Sequence, residues 1–103
     1  MKINKTYKIV GNNNTATIVR LTKQLEELGI SKGEKVIVYN EKSKIIIEKM
    51  KIKGDPRKRI VGTNGKALIV SMAVPLKNAY INKGDSILIY NENGKIVIEK
   101  GER

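Results

Sequence analysis

The chain contains no cysteine and no histidine. Without cysteine there is no disulfide, no thiolate metal site and no thiol nucleophile. Without histidine the usual general base and the commonest transition-metal ligand are missing as well. Tryptophan and phenylalanine are absent and tyrosine occurs 4 times, which leaves little to build a stacking platform for single-stranded bases. No apolar run approaches the roughly 20 residues of a membrane-spanning helix. The charged start Met1-Lys2-Ile3-Asn4-Lys5 is not followed by an apolar h-region, so no signal peptide is expected and a cytoplasmic protein is the simplest reading. There is no phosphate-cradling glycine loop, no serine nucleophile with a base and no carboxylate cluster at metal spacing. Glu26 and Glu27 are sequence neighbours and cannot face one substrate from a helix as an acid–base pair. A protein that is not an enzyme, with no metal and no cofactor, is therefore expected.

What the chain does have is positive charge. Its 103 residues carry 21 Lys+Arg against 10 Asp+Glu, a net charge of +11. A field of this sign attracts polyanions, nucleic acid first and anionic membrane second. The plain alternative is a solubilising surface. The shortage of aromatics turns the nucleic-acid reading toward duplex DNA.

The chain also repeats itself. Shifted by 51 positions it matches without a gap, and 19 of the 41 pairs between residues 9–49 and 60–100 are identical. Ile9-Val10-Gly11 falls on Ile60-Val61-Gly62, and Tyr39-Asn40-Glu41 on Tyr90-Asn91-Glu92. Lys44-Ile45-Ile46-Ile47-Glu48-Lys49 falls on Lys95-Ile96-Val97-Ile98-Glu99-Lys100. The division is a first repeat at 1–50, a linker at 51–56 and a second repeat at 57–103.

Each half reads as strand, loop, strand, short helix, strand, turn, strand. Ile3, Tyr7 and Ile9 alternate with Lys2, Thr6 and Lys8 in a half-buried first strand. Gly11-Asn12-Asn13-Asn14 reads as a turn or loop. Thr15 to Leu21 is a β-branched strand. Thr22 can cap a helix striped by Leu21, Leu25 and Leu28 and ended by Gly29. Ser31-Lys32-Gly33-Glu34 turns the chain into a hairpin whose tip is expected at Asn40-Glu41-Lys42-Ser43. In the second half the tip is Asn91-Glu92-Asn93-Gly94, and the helix is expected to be shorter or irregular around Pro75. A half of this size is near the limit of independent folding. Its strands are apolar on both faces, so the two halves are expected to interlock in one barrel-like core.

The stretch from Ala16 to Val36, with Leu28-Gly29-Ile30 and Lys32-Gly33-Glu34, and again Ile81 with Lys83-Gly84-Asp85, resembles the AbrB/MazE/SpoVT swapped-hairpin DNA-binding family. The likeness covers nearly all of each half. The family's proline after the second strand is missing in the first half and displaced to Pro75 in the second. The resemblance implies a mainly β fold with short helices, tandem ββαββ repeats interlocked as an AbrB-type swapped-hairpin barrel. A double-psi or cradle-loop barrel is the nearest alternative. It implies hairpins exchanged as between the subunits of a dimer, here within one chain as a pseudo-dimer, and further pairing of two chains stays compatible with it. The implied partner is double-stranded DNA and the implied role transcription regulation.

Carried onto this sequence, the DNA face holds Lys5, Lys8, Asn12, Asn13, Arg20 and Lys23, with Arg57, Lys58, Arg59, Asn64 and Lys66 as the counterpart. Lys and Arg neutralise phosphates, Arg can grip guanine and Asn can grip adenine. The structural alternatives are an ion pair of Arg20 with Glu26 or Glu27, a simple turn at Asn12–Asn14 and a charged strand edge at Arg57–Arg59. Competing functions are a sequence-tolerant architectural protein and an antitoxin or adaptor module.

Overall fold

The computed structural model describes residues 6–9, 11–13, 16–82 and 84–101, with side chains from Val19 onward except at Asn64 and Ala73. The first half forms β1 (Thr6–Ile9), β2 (Gly11–Asn13), β3 (Ala16–Arg20), α1 (Thr22–Glu27), β4 (Lys35–Glu41) and β5 (Lys44–Lys49). The second forms β6 (Lys58–Ile60), β7 (Gly62–Asn64), β8 (Ala67–Ser71), α2 (Ala73–Asn78), β9 (Ser86–Glu92) and β10 (Lys95–Lys100). The protein is mainly β, with two short helices and two antiparallel sheets.

One sheet has six strands in the order β1-β9-β10-β5-β4-β6, and the other has four in the order β2-β3-β8-β7. Among the described residues the sheets stay separate and no closed barrel forms. They meet at corners. The chain runs from β6 in the large sheet to β7 in the small one through Val61, whose N–H donates to the Glu34 carbonyl at 3.0 Å and whose carbonyl accepts from Gly33 N–H at 2.8 Å. The Asn-rich segment expected as a loop is instead strand β2, with Gly11, Asn12 and Asn13 opposite Ile18, Thr17 and Ala16. Pairing with β3 overrides the turn preference of Asn, because strand propensity depends on context.

The halves share their strands. β1 of the first half pairs with β9 of the second, and β6 of the second pairs with β4 of the first. In the middle of the large sheet Val97 stands opposite Ile46, and in the middle of the small sheet Val70 stands opposite Val19. Both are pairs of repeat-equivalent positions, so one pseudo-two-fold axis passes through the centres of both sheets.

Between the sheets lies one core. Val36, Val38, Ile45 and Ile47 enter it from the first hairpin, and Ile87, Ile89, Ile96 and Ile98 from the second. Val19 and Val70 close it from the small sheet, and Leu21, Leu25, Met72 and Leu76 from the helical segments. Each fully buried side chain of this kind contributes about 1.5–3 kcal/mol. Neither half holds a cluster of its own between the sheets.

Several local expectations are corrected. Leu21, not Thr22, occupies the cap position of α1, and no side chain caps that helix. The Thr22 hydroxyl instead accepts from Leu68 N–H at 2.8 Å, while Leu21 N–H donates to the Leu68 carbonyl at 2.9 Å, tying α1 to the other half. α2 is no shorter than α1: it spans the equivalent six residues. Pro75 is its third residue, in the first turn, where an N–H would lack an intrahelical acceptor. Asn40 and Asn91 are not hairpin tips. They lie in β4 and β9 and donate to the Pro75 carbonyl at 2.9 Å and the Gln24 carbonyl at 3.1 Å, each across to the helix of the other half. The tips are Lys42–Ser43 and Asn93–Gly94, all four with positive φ.

Candidate nucleic-acid interface

The distribution of acids along the chain organises the surface. Residues 1–25 carry 5 Lys+Arg and residues 56–84 carry 6, with no Asp or Glu in either segment. Everything else holds 10 basic and 10 acidic residues, so the two acid-free segments account for the entire +11. They fold into β1–β3 with the start of α1, and into β6–β8 with α2. The whole four-stranded sheet and both edge strands of the six-stranded sheet are thus built from acid-free chain, while the hairpins mix charges, four Lys with two Glu over residues 35–49 and two Lys with two Glu over residues 86–100. Total charge and charge per half do not reveal this. The gaps between successive acids in the sequence would have.

Four of the hairpin charges are engaged with one another on the outer face of the large sheet. Tyr39 donates its hydroxyl to Glu48 at 2.6 Å, and Lys95 of the other half lies 3.6 Å from the same carboxylate. The repeat-equivalent set joins Tyr90 to Glu99 at 2.8 Å and Lys44 to Glu99 at 3.5 Å. The hydrogen bond to Glu48, then burial, raises the Tyr39 pKa, and burial followed by the Glu99 bond raises that of Tyr90. Both tyrosines pack with Ile46, Leu88 and Val97 in a second, smaller cluster. A cleft of about 330 Å³ opens on the axis between the hairpins, lined by Glu41, Lys44 and Ile46 with their equivalents Glu92, Lys95 and Val97. Its two equivalent lysines are the ones held by Glu99 and Glu48, and exposed Lys42 at the first tip also lines it.

The sequence-predicted residues divide between the two sheets. Asn12 and Asn13 lie on β2, an edge of the small sheet, and Asn64 lies on β7, its other edge. Arg20 ends β3 and is exposed, beside the inward-facing Val19. Lys23 is exposed on the first turn of α1, and Lys66 is exposed in the turn between β7 and β8. Among the described residues neither Lys23 nor Lys66 has an ion-pair partner. Lys8 lies on β1, the edge of the large sheet opposite β6, at the register position equivalent to Arg59. Lys5 lies outside the described residues.

The densest basic run, Arg57-Lys58-Arg59, does not act as one patch. Lys58 stands opposite Ile37 and Arg59 opposite Val36, so strand alternation sends them to opposite faces of the large sheet. Arg57 precedes the strand and makes a two-pronged contact with Asp55, Nε to Oδ1 at 3.0 Å and Nη2 to Oδ2 at 2.8 Å. Its guanidinium also sits 4.9 Å from the centre of the Tyr39 ring. These bonds from Arg57 hold the Asp55 carboxyl down at about 2. Asp55 in turn neutralises Arg57, whose role in this arrangement is to clamp the start of β6.

No protein-family model, no curated protein and no solved structure matches this chain. Among the described residues no helix is long and apolar enough to cross a membrane.

Proposed function

We propose that the protein is a duplex-DNA-binding transcriptional regulator of the AbrB type, a binding protein and not an enzyme, that acts by occupying DNA as a pseudo-dimer within one chain. One observation carries the reading: the entire net charge of +11 resides in the acid-free segments that build the four-stranded sheet and the edges of the six-stranded one. A surface rich in cations and poor in acids attracts phosphate, and each phosphate neutralised releases counterions, although Asp55 already holds Arg57. The finer fold belongs to the same proposal. The first strand of each half lies against the hairpin of the other half, which supports the swapped-hairpin arrangement that the resemblance implies.

The test is DNA affinity measured across salt concentration. A chain that neutralises about 6–10 phosphates loses roughly 10³–10⁵ in affinity between about 50 and 200 mM salt. A flat response overturns the reading. A second reading, a sequence-tolerant architectural protein, is favoured by the make-up of the acid-free segments, where 8 of 11 cations are Lys. Lys is a point charge suited to phosphate more than to base edges. Competition with random duplex separates the two, since a regulator prefers its own site by about 10³ or more.

A further inference from the structure

The backbone around the axis is symmetric, but the cations placed on it are not. In the acid-free segments Lys8 and Arg59 occupy equivalent positions. Most of the others meet a neutral residue under the shift of 51. Arg20 corresponds to Ser71, and both are exposed at the ends of the central strands of the small sheet. Lys23 corresponds to Val74, each the second residue of its helix, and Val74 is 62% exposed, so the second half shows an apolar side chain where the first shows an ammonium. In the other direction Lys66 stands exposed where the first half has Thr15, and Lys58 where it has Tyr7. Among the described side chains, Arg20 and Lys23 stand where strand passes into helix in the first half, whereas Lys58 and Lys66 stand on a strand edge and a turn in the second, whose helix carries Lys77 where the first has Glu26.

A duplex has its own two-fold axes, and its phosphates obey them whatever the sequence. A symmetric protein would bind in two equivalent orientations and prefer a palindrome. Unequal cations on a symmetric frame remove that equivalence wherever the base sequence is itself asymmetric: Arg20 can grip a guanine edge where Ser71 cannot, so turning the chain over changes which half-site is read. Resting on the DNA-binding reading above, we infer that one chain grips duplex DNA in a single fixed orientation on an asymmetric site, with Arg20 and Lys23 serving one half-site and Lys58 and Lys66 the other.

Because the chain lacks cysteine, single cysteines can carry a DNA-cutting reagent without removing background thiols. Glu27→Cys and Asn78→Cys place it at equivalent, exposed helix positions outside the proposed contacts. Bound to a duplex selected from a random pool, the reagent at position 27 cuts on one side of the site centre only, and at position 78 on the other side only. In parallel, Lys23→Val lowers the salt slope by about 1 and Val74→Lys raises it by about 1. The double variant Ser71→Arg/Val74→Lys shifts the selected sequence toward a palindrome. Equal cutting on both sides from each position, or a selected pool of the parent chain that is palindromic or has no preference, overturns the fixed orientation and leaves DNA binding standing. Absence of salt-dependent affinity for any duplex overturns both.

Discussion

Ile46 and Val97 stand opposite each other where β5 pairs with β10, and they are the same position of the repeat. The pairing places the seam between the two halves in the centre of the large sheet instead of at its rim. The repeat is therefore a device for making one core from two insufficient pieces. A core of this kind has no independent halves.

That relationship predicts a single cooperative unfolding transition. Ile47 is fully buried and stands opposite Ile96 of the other half. Ile47→Ala is expected to lower stability by about 2–5 kcal/mol. Denaturant unfolding followed by far-ultraviolet circular dichroism and by tyrosine fluorescence should shift together. Two separated transitions would show that the halves fold apart.

The hairpin tips differ in fitness. In the second half, Asn93 and Gly94 take φ of 53° and 76°, as suits a tight turn with positive φ at both residues. In the first half, Lys42 and Ser43 are held at 49° and 68°. Grafting the second tip onto the first, Lys42→Asn with Ser43→Gly, should stabilise the protein by about 1 kcal/mol. The denaturation midpoint measures it.

The helix ends offer a matched test. Gly29 follows α1 with φ of 71°, and its repeat equivalent Tyr80 adopts 59° after α2 while 77% exposed. A left-handed conformation costs a non-glycine residue about 1–2 kcal/mol. Tyr80→Gly should raise the denaturation midpoint, and Gly29→Ala should lower it by a similar amount.

Acid should loosen the start of β6. Arg57 holds the folded-state pKa of Asp55 at about 2, below the ordinary 3.8. A depressed carboxyl stabilises the fold above its unfolded pKa, and this contribution is lost as pH falls from about 4 through 2. The parent chain should lose stability in that window, and Asp55→Asn should lose less of it. Equal acid profiles for the two would contradict the assignment.

Alkali should act on the other face. The pKa values of Tyr39 and Tyr90 are raised by burial and by their bonds to Glu48 and Glu99. A raised phenol stabilises the fold fully below its unfolded pKa of about 10, and that contribution disappears as pH rises through the folded value. Ultraviolet titration should show these two tyrosines ionising above the ordinary value of about 10, and Tyr39→Phe with Tyr90→Phe should flatten the alkaline loss.

Much of the architecture was legible without coordinates. The 51-residue repeat is a matter of sequence identity, and the apolar runs of both hairpins are a matter of hydropathy. From these followed the mainly β class and the turn at Ser31–Glu34, where Glu34 accepts from the Ser31 N–H. The charge that carries the proposed function is likewise written in the sequence, down to the two acid-free segments. Tertiary structure decided how these pieces face one another. Asn12 and Asn13 became a strand because β3 offered a partner. Thr22, Asn40 and Asn91 became ties between the halves because the exchange of strands brought Leu68, Pro75 and Gln24 within reach. Arg57-Lys58-Arg59, contiguous in sequence, was divided by the alternation of a strand and by the pull of Asp55. Local preferences act over a few residues, whereas the ties of Thr22, Asn40 and Asn91 join groups 46, 35 and 67 positions apart, and only the folded chain brings those together.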